Sequence, residues 1–161
     1  MLHYLQNLFQ ALDVSSLTDA VLRVAAVFLC LTVHETCHGL AALAGPVSNL
    51  LLAVLFLGIG KVIYLYAPYS AGINVFFEWC LFTVAPMSVG MGLFNLIPLP
   101  PLDGSKVLAM FLPNSVYEKL MRYEYYGLML LLILNWLHFG GNIFQKTIYG
   151  VYEALFHIFF A

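Results

Sequence analysis

Residues 17–44 read LTDAVLRVAAVFLCLTVHETCHGLAALA. Almost every position is apolar or small, and a bilayer span needs only about 20 such residues. The stretch therefore predicts a membrane-spanning helix with length to spare. Set inside it is the run His34-Glu35-Thr36-Cys37-His38. Two histidines at i and i+4 share one helix face, and their ring nitrogens suit one Zn²⁺. Glu35 stands beside them as a general base for water that the metal activates. The plainer account is a set of polar side chains satisfied within a bundle. Ionisable groups at membrane depth are costly, however, and are functional by default. His34, Glu35 and His38 fall within one turn and a half of an otherwise apolar helix, so the metal reading outweighs the packing one.

Composition agrees with a membrane chain. Of 161 residues, 63% are hydrophobic and 9% charged, with a mean hydropathy of +0.93. A soluble domain is about a quarter charged, so this chain has too little charge to solvate a globular surface. One polytopic helical domain over residues 1–161 follows. The net charge of −2 and the lack of a basic stripe argue against a nucleic-acid partner. Cys30, Cys37 and Cys80 sit in apolar runs and read as small buried hydrophobes rather than a disulfide framework. The first residues carry no basic region and no small-residue cleavage site, so no removable signal peptide is expected.

The expected fold is all-α: a bundle of about four transmembrane helices with amphipathic helices at the termini. Residues 1–12 repeat leucines at helical spacing and suit the membrane surface. The spans are expected over 17–44, 47–66, 73–96 and 125–139, with Gly45-Pro46 as nearly the whole link between the first two. Pro86 is expected to kink the third helix. Three prolines in 98–101 forbid regular helix there. Residues 105–123 are the most polar part, and 142–159 form a final helix, interfacial or packed on the bundle.

A catalytic zinc usually has three protein ligands and one open position. The candidates for the third are Glu78, Asp103, Glu124, His138 and Glu153. Asp103 is the best of them, because it follows a proline-rich break. Non-helical backbone at membrane depth survives only where protein buries it or a wet cavity meets it. A turn or N-cap role for the Asp103-Gly104 pair competes evenly with the ligand role.

Taken in order, three motifs resemble the site-2 protease family of intramembrane zinc metalloproteases. His34-Glu35-Thr36-Cys37-His38 looks like its zinc helix. Gly45-Pro46-Val47-Ser48-Asn49 looks like its Gly-Pro-x-x-Asn motif. Asn95 with Pro98-Leu99-Pro100-Pro101-Leu102-Asp103-Gly104 looks like its Asn-proline-Leu-Asp-Gly motif. The resemblance covers residues 17–112. It implies one zinc held by His34, His38 and Asp103, Glu35 as general base, and Asn49 and Asn95 lining the site. It also implies cleavage of the transmembrane segments of other membrane proteins. Hydrogen bonding between helices is the modest competing role for both asparagines. One departure stands out: family members carry a longer, partly polar segment between the zinc helix and the Gly-Pro motif. With that segment missing, the zinc ligands are untouched but weak proteolysis is expected.

The competing function is a non-proteolytic or inactive zinc-binding membrane protein. Four protein ligands would close such a site, and Cys37 is a poor fourth, standing roughly a third to half of a turn off the His34–His38 midline. Lys106, Lys119 and Arg122 follow the third span, against Lys61 and Arg23 on the other side. Lys and Arg gather in the cytoplasm, so both motif loops are expected to face it, with the chain placed in the cell membrane.

Overall fold

A computed structural model of the protein describes residues 14–38, 43–68, 70–122, 126, 127, 129, 130, 133 and 141–160. All regular structure among them is helical. Helix α1 spans Val14–His38, α2 Ala44–Tyr66 and α3 Ala71–Asn95. Two short helices follow, α4 over Asp103–Ala109 and α5 over Asn114–Arg122, and α6 spans Gly141–Phe160. Among the described residues, three helices are long and apolar enough to cross a membrane: Ser16–Cys37, Ala44–Tyr66 and Ala71–Asn95. Of the fourth expected span only Tyr126, Gly127, Met129, Leu130 and Ile133 are described, and all are helical. The expected surface helix over 1–12 lies outside the described residues.

The exterior of α1–α3 is lipid-like. Phe28, Leu51, Val62 and Phe82 are all more than half exposed, a surface that water would not tolerate at this density. The chain is a membrane protein. Among the described residues the buried apolar side chains form two clusters. Ala53 and Leu57 of α2 meet Leu81, Ala85 and Val89 of α3, and Ile148, Val151, Leu155 and Phe159 of α6 close over them. Ala26 and Cys30 of α1 meet Leu52 and Val84. The final helix is thus packed on the bundle. Cys30 and Cys80 are buried and unbridged, and Cys30 Sγ lies 3.1 Å from Ser88 Oγ. Thr32 and Thr36 donate their hydroxyls to the Phe28 and Thr32 carbonyls at 2.7 and 2.8 Å, which keeps both satisfied on a lipid-facing helix.

Two expected boundaries move. Ala44 opens α2 rather than closing α1, so Gly45 and Pro46 lie in the first turn of α2 and are not the link. The first N–H groups of a helix have no intrahelical acceptor, so the missing N–H of Pro46 costs little there. The ladder starts at Val47, whose N–H reaches the Leu43 carbonyl at 3.1 Å. Residues 39–42, expected to end the first helix, lie outside the described residues.

The second change is in α3. Instead of a simple proline kink, Trp79–Val84 widens into a π-helical turn just before Pro86. The Ala85 N–H bonds to the Cys80 carbonyl, an i to i+5 step. The same pattern assigns the Leu81 carbonyl to Pro86, which has no N–H to give. Tyr152 of α6 supplies the missing donor, its hydroxyl 2.9 Å from the Leu81 carbonyl oxygen. In lipid an orphan carbonyl has no water to turn to, so this bond ties α6 to the one weak turn of α3.

Candidate metal centre

Helix α1 runs one way, α2 returns, and α3 runs back again. The end of α1, the start of α2 and the loop after α3 therefore meet at one end of the bundle. His34, Asn49 and Asp103 come together there, 15 and 69 residues from His34 along the chain. All three are buried, Asn49 fully.

Asp103 arrives by a loop that satisfies its own backbone. The Leu96 and Ile97 N–H groups bond back to Leu93 and Phe94, Leu99 to Ile97, Leu102 to Leu99, and Ser105 to Leu102. The peptide between Pro100 and Pro101 is cis. The chain folds so tightly that a Cβ on Gly104 would collide with the Leu96 and Ile97 carbonyls. Leu102 caps α4 in extended conformation, and Asp103 is its first helical residue. The competing N-cap role for Asp103 is thus not the one it takes. Its side chain faces inward to His34.

His34 Nε2 lies 3.0 Å from Asp103 Oδ2. Two ligands of a tetrahedral zinc, each about 2.0–2.1 Å from the metal, lie about 3.3 Å apart. The pair is therefore spaced much as two ligands of one metal ion would be. On the other edge of the ring, Asn49 Nδ2 lies 3.2 Å from His34 Nδ1. With that amide orientation Asn49 donates, and Nε2 carries the ring proton towards Asp103. Asn49 Oδ1 is then buried with no hydrogen-bond partner among the described residues. The opposite orientation puts Oδ1 against Nδ1–H and leaves Nε2 bare beside the carboxylate. That is the tautomer a metal needs, held by an outer partner of the kind metal-binding histidines use. An imidazole nitrogen and a carboxylate oxygen are both donor types that zinc takes. Asp103 Oδ1 also accepts from Lys106 Nζ at 3.2 Å, so a half-exposed cation offsets a buried carboxylate.

Gly45 explains how the two helices come so close. A Cβ there would sit 2.7 Å from His34 Cε1 and 2.9 Å from Nε2. Only glycine leaves room for the ring. Sequence reading gave Gly45 a turn role and missed this contact. Its i+4 partner Asn49 was the available signal, because the two share the face that meets α1. Gly92 of α3 plays a similar part, its bare face against the Pro46 carbonyl and the Leu50 side chain.

The remaining candidates are spread apart. The backbone of His38 closes α1, and its side chain lies outside the described residues. Glu35 is exposed, one residue round the helix from His34. Asn95 turns its amide onto the Met91 carbonyl at 3.0 Å, within its own helix. Glu78 is exposed near the start of α3, and Glu153 is exposed with His157 at 4.0 Å. Glu124 and His138 lie outside the described residues. Among the described residues no group of three His, Cys, Asp or Glu side chains converges.

The chain is similar to "Putative zinc metalloprotease YwhC" of Bacillus subtilis (strain 168), with 30% identity over 129 residues. That match takes in 76% of this chain and 56% of the relative. It is also similar to "Putative zinc metalloprotease mll0638" of Mesorhizobium japonicum, 36% identical over 78 residues, which is 46% of this chain and 20% of the relative. The chain thus spans about half of the first relative's length and a fifth of the second's. No family model matches it, and no solved structure does.

Proposed function

We propose that the protein is a zinc endopeptidase that cleaves the transmembrane segments of membrane proteins inside the bilayer. The observation that carries this is the buried approach of His34 Nε2 to Asp103 Oδ2 across 69 residues of chain. Two relatives named as zinc metalloproteases support it, as does the bilayer-spanning length of the helix that holds His34. His34, His38 and Asp103 would hold one Zn²⁺. When bound, the metal would act as a Lewis acid and bring the pKa of water near 7.

The chain's own residues do the rest. Asn49 fixes the ring of His34 and so the direction of Nε2. Lys106 neutralises the outer oxygen of Asp103. Glu35 takes a proton from the attacking water and returns it to the leaving amine as the peptide bond breaks. The substrate helix must unwind locally first, because its carbonyls are already bonded within the helix. Asn95 would line the path of that unwound strand. The end of the bundle bearing these groups would face the cytoplasm, in a cell membrane, with lipid around the three spans.

The test is Glu35→Gln, which keeps shape and removes the base. With a transmembrane substrate in proteoliposomes, turnover should fall by about 10²–10⁴-fold while zinc content stays unchanged. Turnover equal to that of the native chain would sink the mechanism.

A further inference from the structure

At the far end of α1 and α3 from His34, a cavity of about 430 Å³ opens between the two helices. Asp19, Arg23, Glu78 and Trp79 line it, with Thr18 and Thr83. Asp19 and Arg23 have the i, i+4 spacing of a helical ion pair. Neither closes one, and Glu78 is likewise without an ion pair among the described residues. Trp79 holds the wall in place by donating its indole N–H to the Leu22 carbonyl at 2.7 Å. Asp19 lies only three residues from Ser16, where the α1 span begins, and Glu78 seven from the start of the α3 span. At about 1.5 Å per residue the Cα of Asp19 stands about 5 Å, and those of Arg23 and Glu78 about 10 Å, inside the end of their spans. Long polar side chains snorkel outward from such positions, which brings their charged tips towards the glycerol esters and headgroups.

A second cavity of about 510 Å³ continues from the first. The two share Arg23, Phe82 and Thr83. The continuation runs along α3 past Met87 and Met91 to Phe94, with α6 as its other wall, and its lining is mostly apolar. Phe82 to Phe94 is twelve residues, about 18 Å of helix. One end of the combined groove is thus charged with both signs, and the other is hydrocarbon.

The geometry points to a binding site for a phospholipid whose headgroup carries a phosphodiester and a primary ammonium. Arg23 matches the phosphate, because a guanidinium fork pairs with phosphate oxygens. Asp19 and Glu78 match the ammonium, whose N–H donors a carboxylate accepts. A quaternary ammonium offers no such donors, and an anionic headgroup with no amine leaves both carboxylates facing negative charge. An acyl chain fills the apolar continuation between α3 and α6. This site is separate from the metal centre, so it stands whether or not the protein is a protease.

The full chain in neutral detergent is titrated with dioleoyl phosphatidylethanolamine, phosphatidylcholine or phosphatidylglycerol, and retained lipid is read by native mass spectrometry. Phosphatidylethanolamine should be retained about tenfold better than the other two, the worth of one charge-assisted hydrogen bond. Arg23→Gln and Glu78→Gln should each erase that preference. Both side chains are exposed and lie on different helices, so a folding failure in one leaves the other to decide. Equal retention of the three lipids, or a preference kept in both variants, overturns the proposal. Displacement of the lipid by chain-free glycerophosphoethanolamine would also overturn it, because the apolar groove would then play no part. Displacement by an equal concentration of a hydrophobic transmembrane peptide would assign the groove to polypeptide instead.

Discussion

The two ends of this small bundle handle polar groups in opposite ways. At one end His34, Asn49 and Asp103 are buried, in contact and packed against bare glycine. At the other, Asp19, Arg23 and Glu78 are exposed, unpaired among the described residues and arranged round a cavity. Burial makes an unmatched polar atom expensive, so the first end must hold its groups to a fixed geometry. The interfacial end has headgroups and water within reach of its long side chains and can leave them open. The contrast predicts that small changes at the His34 end are felt strongly, and charge-neutral changes at the Arg23 end weakly.

Apart from the loss of turnover in Glu35→Gln, the largest effect should come from Gly45→Ala. Its new methyl would displace a ring held on both edges. Zinc affinity should fall at least tenfold, and overpacking should cost about 1–3 kcal/mol of stability. Isothermal titration with zinc and a denaturation series in the same detergent read both. Unchanged affinity would mean that the helices part freely and that the contact does not position His34.

Next comes Asn49→Leu, which keeps the branched side-chain skeleton and removes the ring's outer partner. Loss of such a partner typically weakens metal binding about 10–100-fold. The same titration checks it, with Arg23→Gln as the contrast at the other end, where zinc affinity should not move. If Asn49→Leu binds zinc like the native chain, the amide is a helix-to-helix hydrogen bond and nothing more.

The smallest effect belongs to the join between the ends. Tyr152→Phe removes the donor to the Leu81 carbonyl. Interhelical hydrogen bonds in membranes average about 0.6 kcal/mol and reach about 1.7. With no backbone donor able to replace Tyr152 at Pro86, the loss should lie near the upper figure, measurable by unfolding in mixed micelles. A loss of zinc as large as in Asn49→Leu would show that the ends are coupled through α3.

Much of this was legible in the chain itself. Apolar runs announced the three helices long enough to span, together with a fourth span of which few residues are described, because a bilayer admits few alternatives to helix. The prolines at 98–101 located the irregular loop, and Asp103 beyond it is buried against His34. What escaped were effects of tertiary contact. Pro46 looked like a link residue because its place in the first turn of α2 depends on where Gly45 meets His34. The π turn before Pro86 meets α6 through the Tyr152 hydroxyl, a tertiary contact that periodicity does not report. Glu78 entered only as a candidate zinc ligand and Arg23 only in the charge balance across the membrane, because the sequence does not report that α1 and α3 enclose one cavity.

The central claim is that Asp103 and His34 share a metal ion, and zinc content tests it most directly. The native chain and Asp103→Ala are purified identically, checked for equal helicity, and analysed for zinc per chain by elemental mass spectrometry. The account predicts one zinc in the native chain and less than roughly a tenth of that in Asp103→Ala, since two remaining ligands hold zinc poorly. Full zinc occupancy in a well-folded Asp103→Ala chain would contradict it.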